Sequence, residues 1–209
     1  MDIVTEQTGA SWEAGPAHLQ ITLQDYSLGS SFHVPQIFVY PAPDYAAENP
    51  AAADSLKRLQ MILSNPGGQY TNDQYPHIPF FNAGQVFAAQ EKTLSFNGGS
   101  GIRFVTQYAQ DVSPINNGGV FYHFEGLSSD GKYYMIAILP VNLPFLPADN
   151  NPDSPVPSGG IAFPQNNAPG PDFDNYFKQV TGMINTAPSG QFSPPLNALD
   201  ALIQSISIQ

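Results

Sequence analysis

Cysteine is absent from the 209-residue chain, which excludes disulfides, thiolate metal centres and cysteine nucleophiles. Charge is scarce too: Asp, Glu, Lys and Arg together make up 11% of the residues, against about 25% in average soluble domains. Lys and Arg number 6 against 17 Asp and Glu, for a formal net charge of −11. A field of that sign repels nucleic acid and anionic membrane surfaces, and no basic patch offsets it. No apolar run approaches the roughly 18 residues that a bilayer span requires. The opening Met1-Asp2-Ile3-Val4-Thr5-Glu6 has neither a basic n-region nor an apolar core, so an exported form is expected to have lost its signal segment. P-loop, G-x-G-x-x-G and G-x-S-x-G motifs are missing as well. No cofactor and no metal are expected.

The polar surface must therefore be built from Asn, Gln, Ser, Thr, Gly and Pro, alongside 14 Phe and 10 Tyr. Such a mix is common in exported proteins and sets the expectation of an extracytoplasmic setting. The length suits one domain with a core large enough to stand without a structural metal. Residues 1–16 are weakly patterned and read as a polar lead-in. Residues 17–209 read as a single domain with long loops at 65–82 and 147–170.

The clearest stretch spans Gln85 to Pro147 and reads as four adjacent strands: Val86–Phe96, Ile102–Gln110, Gly119–Leu127 and Tyr133–Val141. Asn97-Gly98-Gly99-Ser100-Gly101 and Ser128-Ser129-Asp130-Gly131-Lys132 carry hairpin chemistry. In the second, Asp130-Gly131 suits a turn with positive φ at both central positions. That turn would set Phe124 opposite Ala137, Tyr122 opposite Leu139, His123 opposite Ile138 and Glu125 opposite Ile136. Both faces of this pair are apolar, so the sheet is expected to be covered on both sides.

Ahead of the meander, His18–Tyr26 alternates as a half-buried strand and Val34–Tyr40 is a second, stopped by Pro41 and Pro43. A helix follows, with Asn49 as its cap, Pro50 in its first turn and Leu56, Leu59, Ile62 and Leu63 as its apolar stripe. Asn65-Pro66-Gly67-Gly68 ends it. Helical spacing returns over Asp172–Ala187 and, after Ser193-Pro194-Pro195, at Leu196, Leu199, Leu202, Ile203 and Ile206. Strands grouped together with helices before and after predict an α+β fold, an antiparallel β-meander sheet flanked by helices.

Gly101-Ile102-Arg103-Phe104-Val105-Thr106-Gln107-Tyr108, Phe121-Tyr122-His123-Phe124-Glu125-Gly126-Leu127 and Asp130-Gly131-Lys132-Tyr133-Tyr134 resemble a group of uncharacterised bacterial exported proteins and lipoproteins. The likeness is best over residues 78–147 and implies no catalytic residue. The lipid-accepting cysteine of such lipoproteins is missing here. The layout, a meander followed by a closing helix such as Leu199-Asp200-Ala201-Leu202-Ile203, is similar to the PsbP/Mog1-like α/β/α sandwich. Members of that fold act mostly in binding or assembly, a fold-level analogy.

Four residues stand out as ligand-binding candidates: Arg103, His123, Glu125 and Tyr134. Arg103 lies mid-strand with Glu125 expected in its neighbourhood, as an anion clamp or a structural pair. His123 and Glu125 share a strand face, the spacing of an acid and base or of two ligands. His18, His33 and His77 are too distant in sequence to complete a zinc set by inspection. Asp149-Asn150-Asn151-Pro152-Asp153 offers oxygen ligands of the calcium kind but lacks EF-hand spacing, and solvated Asx turns are the simpler expectation. Tyr70, Tyr75, Phe80 and Phe81, near prolines, suit either a recognition surface or loop anchoring. The leading expectation is a non-enzymatic binding or assembly domain for a protein or small-molecule partner. The alternatives are a carboxylate-based extracytoplasmic hydrolase using Glu125, Glu91, His123 and Arg103, and a structural envelope component.

Overall fold

The computed structural model describes residues 2–8, 10, 12–26, 28, 31–165 and 170–208. Among them the chain builds one seven-stranded antiparallel sheet and four α-helices. The strands are β1 (Asp2–Val4), β2 (His18–Thr22), β3 (Gln36–Pro41), β5 (Ala89–Phe96), β6 (Gly99–Thr106), β8 (Phe121–Ser128) and β9 (Tyr133–Pro140), in the spatial order β1-β2-β3-β9-β8-β6-β5. Two short strands, β4 (Gly84–Gln85) and β7 (Tyr108–Ala109), pair apart from it. Helices α1 (Ala42–Glu48) and α2 (Pro50–Ser64) cover one face, and α3 (Pro171–Thr186) and α4 (Leu196–Gln204) the other. The α+β expectation of a meander flanked by helices is met.

Two cores follow from the period-2 alternation of the strands. Phe38, Tyr40, Phe104, Tyr134 and Ile136 point towards Leu56, Leu59 and Ile62 of α2. Ile37, Val105, Tyr122, Phe124 and Leu139 point towards Tyr176, Val180, Leu199 and Ile203 of α3 and α4. The register across β8 and β9 is the expected one, with Phe124 opposite Ala137 and Glu125 opposite Ile136. The turn that sets it is different. The Gly131 N–H donates to the Ser128 carbonyl at 2.8 Å, so Ser129 and Asp130 are the central residues, and Gly131 alone takes positive φ, at 72°. Glycine accepts that conformation without the Cβ clash other residues meet.

Other boundaries shift for physical reasons. The strand expected at Val86 begins at Ala89; the Val86 N–H donates to the Gln107 carbonyl at 2.8 Å, and inside the strand Gln90 has φ 59° and the register slips between Ala89 and Lys92. The Gln90 amide donates to the Ile184, Asn185 and Ala187 carbonyls, so this bulge caps the end of α3. The strand expected over Ile102–Gln110 changes partner at Gln107, whose buried side chain accepts from the Asn116 N–H at 3.0 Å. Only Asn97 and Gly98 form the first hairpin turn; Gly99, Ser100 and Gly101 are already strand.

The lead-in is not uniformly featureless, since Asp2–Val4 adds the edge strand β1. The second strand does stop at Pro41, and a helix not expected from the sequence follows at once, with Pro43 in the first turn of α1, where its missing N–H costs nothing. Asn49 caps α2 as expected, accepting from the Ala51 and Ala52 N–H groups at 2.9 and 3.1 Å. The end of the long loop at 147–170 lies outside the described residues at 166–169.

Candidate functional site

Alternation along β8 sends His123 and Glu125 to the α2 side of the sheet, and both are fully buried. The imidazole Nε2 lies 2.9 Å from Glu125 Oε1. Neither of those atoms, nor His123 Nδ1, is in hydrogen-bonding geometry with any described residue, so the contact is one of proximity without alignment. Tyr134, two residues along β9 from the Ile136 opposite Glu125, donates its hydroxyl to Glu125 Oε2. Burial first, and then the neighbouring Glu125 carboxyl, hold the Tyr134 phenol well above its ordinary range. The same causes act on Tyr108, whose ring lies edge-on to His123 at 6.5 Å between centroids.

Arg103 is not part of this group. It points to the other face, opposite Phe124, and its carboxylate partner is Asp200 of α4 rather than the expected Glu125. Arg103 Nε donates to Asp200 Oδ1 at 3.0 Å, Lys92 Nζ to Oδ2 at 2.8 Å and the Tyr122 hydroxyl to Oδ1 at 3.1 Å. Burial pushes the Asp200 carboxyl up, but the hydrogen bonds and charges of Arg103 and Lys92 together outweigh it and hold the group below its usual range. Arg103 also donates to the Gln90 carbonyl, which ties this cluster to the bulge. Asp200 was legible as the lone charge among Leu196, Leu199 and Ile203, one helical turn from Leu196 and from Ile203.

An open recess lies elsewhere, at the end of the sheet where β6 and β9 finish and β3 and β8 begin. It is a cleft of about 860 Å³, within the usual range for ligand pockets. Four chain segments supply its walls: 31–33, 80–83, 107–119 and 149–150. The Phe32 N–H donates to the Gly118 carbonyl at 2.8 Å, pinning the first wall to the third. The Gln110 amide donates to the Asn82 carbonyl at 2.8 Å, pinning the third to the second. Asn117 N–H donates to the Pro147 carbonyl at 2.8 Å, anchoring the root of the fourth.

Aromatic rings make the floor. His33 stacks on Phe81 with centroids 5.4 Å apart and meets Phe121 edge-on at 4.6 Å. Phe80 and Tyr108 complete the wall, while Phe32 is 87% exposed at the rim. Burial lowers the His33 imidazole to about 4, only partly opposed by a hydrogen bond with the Gly119 backbone, so the ring is neutral near pH 7. Asp149 and Asn151 form successive Asx turns, accepting from the Asn151 and Asp153 N–H groups at 3.0 and 3.1 Å. Tyr75 anchors a loop against Phe104.

The cleft thus draws on both long loops, through Phe80, Phe81 and Asn82 and through Asp149 and Asn150. Arg103, His123, Glu125 and Tyr134 do not line it; each is buried in the sheet. Tyr108 lines the cleft and also meets the His123 surroundings, and Phe121, packed under His33, contacts His123 as well. Glu91 is solvent-exposed and interacts with the Tyr75 hydroxyl, outside the His123 group. No family model, curated protein or solved structure matches the chain.

Proposed function

We propose that this protein is a non-enzymatic binding or assembly domain of extracytoplasmic setting, and that its ligand sits in the cleft at the end of the sheet. The observation that carries the reading is the cleft itself: rings and side-chain amides from both long loops converge on it, and hydrogen bonds to backbone carbonyls, from the Phe32 N–H and the Gln110 amide, tie its walls together. Surfaces of this make-up recognise by stacking and by a few placed hydrogen bonds. The paired acid, base and guanidinium groups, by contrast, are enclosed on the two sheet faces. Low charge, absent cysteine and a net charge of −11 support the extracytoplasmic setting.

The test is a thermal-shift screen against divalent ions, sugars, peptides and lipids, run in parallel on Phe32→Ala. Phe32 is 87% exposed, so its ring can be removed without opening the core. A ligand at about 100 times its Kd stabilises by roughly 2.7 kcal/mol, and that shift should shrink in the variant. Hits that ignore Phe32→Ala would move the site elsewhere. Substrate turnover lost in Glu125→Gln would overturn the non-enzymatic reading in favour of the hydrolase.

A further inference from the structure

The walls of the cleft are unequal in charge. Among the described residues no Lys or Arg lines it, and His33 is neutral near pH 7 because burial lowers it to about 4. Two carboxylates, Asp111 and Asp149, do line it, both solvent-exposed, and neither is in an ion pair with a described residue. Asp149 is held in place, since its Oδ1 accepts from the Ser154 hydroxyl at 2.5 Å and from the Asn151 N–H. The Ser154 bond and then the Asn151 bond keep its carboxyl below the usual range. An anionic ligand would meet two like charges here with nothing to offset them.

Apolar surface also runs past the recess. Phe32 is 87% exposed, Val34 52% and Val112 56%, each next in the chain to a cleft-lining residue or lining it. A small molecule filling the recess would leave these side chains in water, whereas a polypeptide lying across the rim would cover them. We infer that the cleft takes a basic, aromatic-bearing peptide segment, an aromatic side chain against Phe32 and Phe81 with a flanking Lys or Arg facing Asp111 and Asp149. This inference rests on the cleft being the ligand site, and it adds the class of ligand.

Three acetylated and amidated pentapeptides test it, each with one Trp flanked by two Lys, two Gln or two Glu, together with a neutral cello-oligosaccharide. Binding is followed by calorimetry and by backbone-amide NMR at low and at physiological ionic strength. The Lys peptide should bind at least about tenfold tighter than the Gln peptide, with the Glu peptide weakest, and salt should narrow the gap. Asp111→Asn with Asp149→Asn should bring the Lys peptide to the level of the Gln peptide, because Asn keeps the Oδ1 acceptor of the turn. Asp44→Asn with Glu48→Gln, on α1, should change nothing. Equal affinity for all three peptides would overturn the inference, as would a Lys preference that survives in the cleft variant and falls in the α1 variant. Saccharide binding at the cleft amides without peptide binding would overturn the peptide class and leave the cleft reading standing. If no probe moves the cleft amides, the inference falls, and the separate Phe32→Ala screen decides the cleft reading.

Discussion

One sheet buries a polar cluster on each of its faces, and the two are built to different standards. Towards α4, Asp200 receives Arg103, Lys92 and the Tyr122 hydroxyl, and the Arg103 ring of donors continues to the Gln90 carbonyl. Towards α2, Glu125 receives only the Tyr134 hydroxyl, while its second oxygen and both His123 nitrogens lack aligned partners among the described residues. The first cluster spans β5, β6, β8, α4 and the bulge, so it fastens a helix to the sheet. The second lies mainly on β8 and β9, which the strand ladder already joins, and it reaches α2 through Ser55 beside the Tyr134 hydroxyl. Low dielectric strengthens an aligned network and raises the cost of an unaligned one. Burial alone therefore says little about what a charged residue contributes.

The largest expected effect breaks the first cluster. Asp200→Ala leaves the Arg103 guanidinium buried, its side chain only 7% exposed, without its carboxylate. Removing one partner of a buried pair costs about 3–5 kcal/mol, to be read as a lowered midpoint in urea unfolding. Replacing both, with Arg103→Met and Asp200→Leu, should recover most of that loss, because the unpaired charge is gone. A single Asp200→Ala costing under about 1 kcal/mol would mean that solvent reaches Arg103 freely, and the contrast between the faces would collapse.

These clusters also mark where the sequence was legible. His123 and Glu125 could be placed together because they are two apart on one strand, and the strand register followed from local turn spacing. Asn49-Pro50 announced α2 for the same reason: a cap is a local event. Arg103 could not be matched to its partner, because Asp200 is 97 residues away and arrives on a helix. The cleft was equally hidden, since its four walls come from segments between Ser31 and Asn150 that only the folded chain assembles. Strand β1 went unseen because three largely exposed residues carry no pattern. Helix α1 was masked by Pro41 and Pro43, which read as a stop although proline is accepted in a first helical turn.

Acid should separate the faces further. Burial lowers His18, His33 and His77 below the ordinary 6.5, and all three pack on the α1–α2 side. A histidine whose folded value is depressed contributes stability that is complete above 6.5 and lost as pH falls towards the folded value, about 4 for His33. Asp200 is depressed below 3.8, so its contribution persists through that window and is lost only at lower pH. Urea midpoints should therefore fall between pH 6.5 and 4, and His33→Gln should flatten part of that slope. Asp200→Asn should leave the upper window unchanged and flatten the loss below it. If His33→Gln leaves the upper slope intact, the cleft histidine is solvated and its ring does not form a dry floor.

The smallest expected effect comes from Glu125→Gln. The amide oxygen can still accept from Tyr134, and the amide nitrogen takes the place of Oε1, which has no aligned partner to lose. The neutral amide costs no more to desolvate than the carboxyl it replaces and breaks no aligned bond, so the net change should stay within about 1 kcal/mol of zero. Unfolding in urea at pH 7 measures it against Asp200→Asn, the matched exchange on the other face, which should cost more because the carboxylate there receives two cations. A loss above about 2 kcal/mol for Glu125→Gln would sink the comparison. It would mean that Glu125 and His123 are as well satisfied in solution as Asp200 and Arg103, and that the α2 face is held by charge after all.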